Sequence, residues 1–242
     1  DKNIKNEKVI FSVDNSKYMI IKDLDKNEKL EGDIIQDYEG SFLANLKSEL
    51  LPEVLIEFRE YLRNIYSLDL LAPQELRKRS RTGSKLGLSG ENLSAYLDTF
   101  NEEQKNALLE QLKKCYKNLD SFDIKKSKGG WARLELVEKF GNSGKLVNEG
   151  KYLNDGTLRL IAILSQLQSK QSFLLFDEIE NGINSELIEF LLDTLIASNH
   201  QVMITTHSPM ILNYIDDEIA VKSVNYIYKT EEGFTKSIPF FS

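Results

Sequence analysis

The sequence predicts an α/β fold in which a mostly parallel sheet is flanked by helices. Between residues 151 and 215, apolar segments alternate with segments of helical periodicity. One apolar segment, Phe173–Phe176, can form a strand buried on both faces, and it leads directly into Asp177 and Glu178. Strands and helices that alternate with short links are typical of a parallel sheet covered by helices.

Residues 1–66 are predicted to form strands and a helix of an incomplete N-terminal lobe or arm. Residues 9–13 and 18–21 have the composition of two strands joined by a turn at residues 14–16, and residues 22–40 are predicted to be loop. A helix is predicted from Pro52, because proline suits a first turn and apolar residues follow at helical spacing. These residues are Leu55, Phe58, Leu62 and Ile65.

Residues 67–150 are predicted to form a helical insert that carries antiparallel hairpins. Asn101 and Gln104 have the spacing of a capping box at the start of a helix. Its predicted buried stripe consists of Leu108, Leu112, Cys115 and Leu119. Residues 122–124 and 131–137 are predicted strands, with Trp131 as a core or edge anchor.

A cluster of basic residues lies between residues 77 and 85 with no acidic residue among them. It consists of Arg77, Lys78, Arg79, Arg81 and Lys85. Such a cluster can bind phosphate or nucleic acid, but a solvated basic loop is the favoured interpretation. Since no aromatic residue lies within the cluster, its sequence does not support a base-stacking surface.

The segment Gly141–Lys145 contains closely spaced glycines and a lysine, as phosphate-binding loops do. A Walker A loop requires G-x-x-x-x-G-K-[ST], and here the glycines are too close and Leu146 replaces the hydroxyl residue. We therefore predict a plain turn at this segment.

Residues 151–242 are predicted to form a C-terminal lobe. Helices are expected at 157–168 and at 185–197, the latter capped by Ser185, with a strand at 202–205 and a short helix after Pro209. Residues 224–228 and 234–238, joined by a turn at 230–233, predict a closing hairpin.

Composition limits the class of protein. With 31 basic and 38 acidic residues, the net charge of −7 does not indicate a chain that is basic overall, as many nucleic-acid-binding proteins are. The single cysteine fits a reducing compartment, so a cytoplasmic protein is expected. No apolar run reaches the ~18 residues of a membrane span. Because the chain begins without Met, we expect it to be a piece of a longer protein.

The acidic pair Asp177–Glu178 suggests a chemical role. Open α/β sheets place ligands at the carboxyl ends of their strands. Two carboxylates at such a position suit a hydrated Mg²⁺ and an attacking water. The alternative is a strand that ends in two solvated acids.

The segment Leu153–Leu160 resembles the signature motif of ABC-type ATPases. It is closest to the Leu-Ser-Asp-Gly-Thr form of predicted AAA ATPases related to RecF, SMC and OLD-family proteins. A glycine there lets the backbone approach a phosphate, and the following helix directs its positive end at the anion. The resemblance implies that Asn154, Asp155, Gly156 and Thr157 bind nucleotide in trans, with Asn154 standing where serine is usual.

Three further segments resemble motifs of the same group. Residues 173–178 are similar to Walker B, which implies that Asp177 holds Mg²⁺ through water and that Glu178 polarises the attacking water. The segment Glu180, Asn181 and Gly182 is similar to the D-loop, which crosses the dimer interface. His207, in Thr205–Pro209, resembles the switch histidine that contacts the γ-phosphate, whereas His200 is expected in a surface loop.

The order and spacing of these motifs imply an ABC-ATPase-like P-loop NTPase that binds ATP and Mg²⁺. The resemblance implies a homodimer that sandwiches ATP, a role in DNA repair or anti-phage defence, and DNA, a nuclease or another effector as partners. No Walker A motif occurs in the sequence, and we expect it in a part of the protein outside this chain. The alternative is a catalytically incomplete DNA-binding or scaffold module.

Overall fold

The computed structural model describes residues 10–14, 17–23, 28–34, 41–81, 83–141, 144–171 and 173–241. The chain divides into two compact units, Asp1–Asn64 and Ile65–Ser242. The predicted three-part division of the chain, with boundaries after residues 66 and 150, stays a prediction.

The first unit contains a three-stranded antiparallel sheet, followed in the chain by helices. Its elements are β1 (Phe11–Asp14), β2 (Lys17–Asp23), β3 (Glu28–Asp33), α1 (Phe42–Asn45), a 3₁₀ turn (Ser48–Leu50) and α2 (Glu53–Arg63). Its small core is formed by Ile20, Leu43, Leu51 and Leu55. The predicted pair of N-terminal strands is confirmed, although Val9 and turn residues 15–16 lie outside the described residues.

Strand β3 corrects the prediction that residues 22–40 form a loop. Leu30 pairs with Ile20 of β2 and is partly buried, whereas Glu28, Lys29 and Glu31 are exposed. Because β3 buries so few apolar side chains, its sequence resembles that of a charged loop. The alternation of apolar and polar residues that identifies a strand is not visible in it. Residues 24–27 and 35–40 of the predicted loop lie outside the described part.

Helix α2 begins after Pro52 as predicted, but its predicted apolar stripe is not its buried face. Leu55 is buried, whereas Phe58 and Leu62 are about half exposed. Arg59 is buried instead, because its guanidinium donates to the Leu46 carbonyl and the Ser48 hydroxyl, both at 2.6 Å. The last residue of the predicted stripe, Ile65, begins a strand and not a helical turn.

The second unit combines one parallel sheet with two antiparallel ones. Its helices are α3 (Pro73–Leu76), α4 (Leu93–Asp98), α5 (Glu102–Cys115), α6 (Asp155–Gln166), α7 (Ser185–Ile196) and α8 (Asp217–Ser223), with 3₁₀ turns at Gly150–Tyr152 and Pro209–Tyr214. Its strands are β4 (Ile65–Leu68), β5 (Leu119–Lys126), β6 (Ala132–Lys139), β7 (Lys145–Glu149), β8 (Phe173–Phe176), β9 (Gln201–Ile204), β10 (Asn225–Lys229) and β11 (Thr235–Pro239).

The parallel sheet has the order β4-β8-β9 and carries the strand predicted at Phe173–Phe176 at its centre. Leu174 pairs with Tyr66 on one side and with Val202 on the other, and it is fully buried. The other described sheets are antiparallel, so the expectation of a mostly parallel sheet holds for these three strands and not for the molecule as a whole.

Residues 67–150 are less helical than predicted, because a quarter of this segment forms the strands of the antiparallel sheet β5-β6-β7. The capping box of α5 is confirmed by reciprocal hydrogen bonds between Asn101 and Gln104. Leu119 belongs to β5 and not to the helix stripe. The glycine segment 141–145 joins β6 to β7 as a turn, as predicted, with residues 142–143 outside the described residues.

The C-terminal lobe contains the predicted helices and the closing hairpin β10-β11. Asn184, not Ser185, is the N-cap residue of α7. The short helix after Pro209 is a 3₁₀ helix, and α8 was not predicted. None of the helices in the described ranges combines the length and the apolar composition needed to cross a lipid bilayer.

Candidate functional site

The carboxyl ends of β8 and β9 bring together the residues that follow each strand. The Thr205 amide donates to the Phe176 carbonyl at 3.0 Å, which extends the pairing of the two strands by one step. The Thr205 hydroxyl donates to Oδ1 of Asp177, and the Glu178 amide donates to the same hydroxyl at 3.0 Å. Thr205 was predicted only as part of a motif, and the structure makes it the hydrogen-bond partner of both acidic residues.

Glu178 has a left-handed backbone conformation and a side chain that is held on two sides. Its φ of +46° is the only positive value for a non-glycine residue in the described part of the chain. Its Oε1 lies 3.5 Å from Nε2 of His207, and its Oε2 accepts a hydrogen bond from the Asn181 side-chain amide at 3.1 Å. The His207 side chain is 87% exposed, so one side of this pair faces solvent.

The loop after Glu178 is tied to both neighbouring segments. Oε1 of Glu180 accepts a hydrogen bond from the His207 amide at 3.1 Å, which links the loop to the segment after β9. On the other side, the Arg159 guanidinium of α6 donates to the Asn181 carbonyl. The predicted D-loop residues Glu180 and Asn181 therefore connect the other motif segments within one chain.

The turn before α6 is organised by Asn154. Its side-chain oxygen accepts a hydrogen bond from the Thr157 amide at 2.7 Å, so Asn154 caps the helix. Asp155 instead pairs with Arg77 at 2.5 Å. Thr157 is buried, and its hydroxyl lies 2.9 Å from the Tyr116 hydroxyl, leaving Asn154 and Asp155 as the exposed residues of the turn.

Gly156 and Gly182 bring the turn before α6 against the loop after β8. A Cβ placed on Gly156 would lie 2.5 Å from the Gly182 carbonyl oxygen, which is closer than any side chain tolerates. Gly182 has a φ of +70°, a conformation that favours glycine. The predicted signature residues and D-loop residues are therefore in direct contact.

Arg159 lies beneath this contact with only 4% of its surface exposed. Burial lowers the pKa of its guanidinium, and the carboxylates of Asp155, Glu178 and Asp69 oppose that shift. Its Nε has no hydrogen-bond partner among the described residues. Arg159 has no role predicted from the sequence, because an arginine in the second turn of an apolar helix carries no local signal of burial.

A cavity of about 10 Å³ lies beside Arg159 and is also lined by Asp177, Glu178 and Asn181. That volume is close to the minimum that holds one water molecule. Because its walls carry charged and amide groups, a single water there would find several hydrogen-bond partners.

Residues 6–213 match the family described as "AAA domain, putative AbiEii toxin, Type IV TA system". The chain belongs to this AAA family. The match covers both units and includes all the motif segments from Asn154 to His207. No curated protein matches the chain.

Solved structures place the AAA domain in a known fold. An SMC head bound to the C-winged helix domain of ScpA has a TM-score of 0.52 at 16% identity, over 79% of this chain and 63% of that chain. This similarity shows the P-loop NTPase fold of SMC heads. A second structure comes from work on the ATP-driven dimerisation and DNA-stimulated activation of SMC ATPases. It has 17% identity and a TM-score of 0.45, over 59% of this chain and 86% of that chain. The Smc head with a coiled coil and joint from Pyrococcus yayanosii has 16% identity and a TM-score of 0.43, over 77% of this chain and 31% of that chain.

The acidic residues of the AAA domain fit a site that holds Mg²⁺ mainly through water. Among the described residues, no group of three or more His, Cys, Asp or Glu side chains has the arrangement of a metal site. Mg²⁺ usually keeps several waters and takes one or two carboxylates together with substrate phosphates. Asp177 is exposed at the strand end, and only its Oδ1 bonds to a described residue.

The basic cluster at residues 77–85 is largely neutralised by ion pairs. Arg77 pairs with Asp155 at 2.5 Å, Lys78 with Glu75 at 2.6 Å, and Arg79 with Glu149 at 3.7 Å. Because these three cations are already paired with carboxylates, the structure favours a structural role for them over phosphate or nucleic-acid binding. Arg81 differs, because its guanidinium lies over the ring of Trp131.

Two residues without a predicted function have structural roles. His200 lies in the bend before β9, as expected of a loop residue, but it is partly buried, and its Nε2 lies 3.2 Å from the Ser169 carbonyl oxygen. Burial raises the pKa of the Cys115 thiol to about 11 against the opposing effect of Lys114, which keeps the thiol protonated and unreactive at neutral pH.

Proposed function

We propose that this AAA domain is the ATP-hydrolysing head of a RecF/SMC/OLD-like ATPase, in which ATP binding drives dimerisation. The observation that supports this most directly is the convergence of Asp177, Glu178 and His207 at the ends of β8 and β9. An acid that can hold a metal, a second acid and a histidine 3.5 Å from it support this proposal, because phosphoryl transfer to water uses a bound metal and a residue that positions the attacking water.

Each of these side chains has a separate task in the proposal. Glu178 accepts the proton of the attacking water, and the Asn181 amide keeps its carboxylate in place. His207, exposed beside Glu178, would contact the γ-phosphate, and Asp177 would hold Mg²⁺ through water. When bound, ATP would supply the phosphoryl group, and Mg²⁺ would neutralise the charge that develops on its oxygens.

The turn before α6 is proposed to serve the nucleotide of a second subunit. Asn154 and Asp155 are exposed at the N-terminus of a 12-residue helix, where free amide groups and the helix dipole favour a phosphate. Because Gly156 has no side chain, the backbone of this turn could approach the phosphate of that nucleotide closely. Residues 180–182 contact this turn, so the same homodimer would place the D-loop at its interface.

The biological role that we propose is DNA repair or anti-phage defence, together with DNA, a nuclease or another effector protein. The family description refers to a type IV toxin system, which agrees in kind with a defence role. This part of the proposal rests on family analogy, because the fold itself hosts many functions.

The substitution Glu178→Gln in the full-length protein tests the assignment of the base. The amide keeps the shape of the side chain but cannot accept the proton, so ATP turnover should fall by about a hundredfold or more. Phosphate release measures turnover, and size-exclusion chromatography with ATP should show a dimer that persists longer than in the parent.

The matched control is Glu189→Gln, the same chemical change at an exposed position of α7. It should leave both turnover and dimer lifetime unchanged. Unchanged turnover in Glu178→Gln itself would remove Glu178 from the role of base.

A further inference from the structure

A basic and aromatic surface lies at the tip of the β5-β6 hairpin. The Ala132 amide donates to the Ser80 carbonyl at 2.8 Å, and this bridge brings Arg81 next to Trp131 although 50 positions separate them in the chain. The Arg81 guanidinium lies 4.7 Å from the centre of the indole ring. Trp131 was predicted as a core or edge anchor, and its 42% exposure rules out the core alternative.

The turn beside Trp131 leaves space for a ligand. It is closed by the Ser127 amide, which donates to the Trp131 carbonyl at 3.0 Å, and by the Gly130 amide, which donates to the Ser127 carbonyl at 2.9 Å. A Cβ placed on Gly130 would meet no atom within 4 Å. A Cβ on Gly129 would lie 3.4 Å from the indole and 3.7 Å from the Arg81 guanidinium, so the backbone there runs directly along both groups.

Three cations of this surface are not neutralised within the described part of the chain. Arg81, Lys125 and Lys128 are exposed, and none of them forms an ion pair with a described residue. Neighbouring cations behave differently, since Lys126 pairs with Asp98 at 2.6 Å and Arg133 with Glu135 at 2.8 Å. The hairpin tip is therefore locally positive in a protein whose net charge is −7.

We propose that this surface, formed by Arg81, Lys125, Lys128 and Trp131, binds single-stranded nucleic acid. The indole and the guanidinium offer a flat face on which an unpaired base stacks, and the two lysines contact the flanking phosphates. The base faces of a duplex are stacked on one another, so a duplex would contact only the lysines. An acidic peptide has no base to stack on the exposed indole.

The single tryptophan of the chain makes the test specific. Because Trp131 is the only tryptophan of the 242-residue chain, fluorescence excited at wavelengths that its ten tyrosines do not absorb reports on this surface alone. Titration with oligothymidylate of about 20 nucleotides at low salt, without ATP, should quench the fluorescence to a plateau. Because two lysines contact phosphates in this proposal, log K should fall with log salt with a slope of about −1.4.

Variants separate stacking from charge. Measured by anisotropy of a labelled oligothymidylate, Trp131→Leu should weaken binding about tenfold, whereas Trp131→Phe should retain most of the affinity. The double variant Lys125→Gln/Lys128→Gln should flatten the salt dependence. The matched control Lys139→Gln/Lys145→Gln, which removes two cations already paired with Asp120, should leave binding unchanged.

Several outcomes would overturn the proposal. Absence of quenching at low salt would show that no base reaches Trp131. Equal quenching by inorganic polyphosphate would reduce the surface to a site for any polyanion. Tighter binding of duplex DNA, or quenching by polyglutamate alone, would assign it to a different class of partner. Since no measurement uses ATP, a failure here leaves the proposed ATPase function untouched.

Discussion

At the scale of single residues, Asn181 is the link between the helix that carries Arg159 and the carboxylate of Glu178. Its carbonyl accepts from the Arg159 guanidinium, and its side-chain amide donates to Glu178 at 3.1 Å. Because Arg159 holds Asn181 in place, the hydrogen bond from Asn181 gives the Glu178 carboxylate a defined orientation. Such outer residues affect reaction rates although they do not touch the substrate.

Replacing Asn181 with Ala removes this donor without removing Glu178. In the full-length protein we expect kcat for ATP to fall about tenfold to a hundredfold, with KM changed by no more than about twofold. Steady-state phosphate release measures both constants. In the nucleotide-free protein, hydrogen exchange of residues 178–183 should also become faster, because the loop loses a tether.

Asn184→Ala provides the control for that change. Asn184 lies three positions further along the same segment and makes no bond to Glu178 or Arg159. Its variant should match the parent in both measurements. An Asn181→Ala protein with an unchanged kcat, beside a Glu178→Gln protein that is inactive, would show that Asn181 does not position the base.

The residues of the site differ in how far the sequence reveals them. Asp177, Glu178 and His207 follow apolar strands within motifs, so order and spacing select them. The roles of Thr205 and Arg159 depend on which strands are neighbours and on where α6 packs, and neither fact is local. Trp131 and Arg81 meet through a bridge between distant segments, which explains why the basic cluster was predicted to lack an aromatic partner.

At the scale of elements, the N-terminus of α6 and the loop after β8 fit together only because Gly156 has no side chain. Alanine is the better helix former by about 1 kcal/mol, so a free helix would become more stable on substitution. Here the new methyl would lie 2.5 Å from the Gly182 carbonyl oxygen, and backbone cannot move aside as a flexible side chain does.

Gly156→Ala should therefore destabilise the protein by about 1–3 kcal/mol in spite of the helix propensity of alanine. Urea unfolding followed by circular dichroism measures this difference. Gly129→Ala is the control, since its methyl would make an ordinary contact at 3.4 Å. Stabilisation by Gly156→Ala would mean that the loop after β8 yields and that the two segments are only loosely coupled.

Elements with a strong local pattern were predicted well. The apolar run of β8 and the capping box of α5 each contain their own signal. Strand β4 was missed because Ile65–Leu68 continues the apolar spacing of α2, and only pairing with β8 shows that it is a strand. Strand β3 was missed because it is mostly exposed and charged, and β7 was missed because most of its side chains, including Leu146 and Val147, are exposed.

At the scale of the molecule, the described residues form two separate apolar cores. One contains residues between Ile10 and Ile56, and the other contains residues between Tyr66 and Ile215. The parallel sheet, both antiparallel sheets of the second unit and the proposed catalytic groups all belong to Ile65–Ser242. This distribution indicates that the second unit has the parts that it needs to fold.

Residues 65–242 expressed alone should unfold cooperatively, with helix and strand signals retained in circular dichroism. The control is a fragment of residues 93–242, which lacks β4 and so leaves one side of β8 unpaired. That fragment should be unfolded or aggregated. A non-cooperative melt of residues 65–242 would show that their core depends on the first unit.

The left-handed backbone at Glu178 has a consequence for how related sequences diverge. A glutamate in that conformation costs about 1 kcal/mol that glycine would not, so stability alone favours glycine at this position. Only a requirement for the carboxylate opposes that drift. If Glu178 is the base that we propose, a relative with glycine here would keep the shape of the head and lose nucleotide hydrolysis, so residue 178 would reveal the loss of chemistry in a genome.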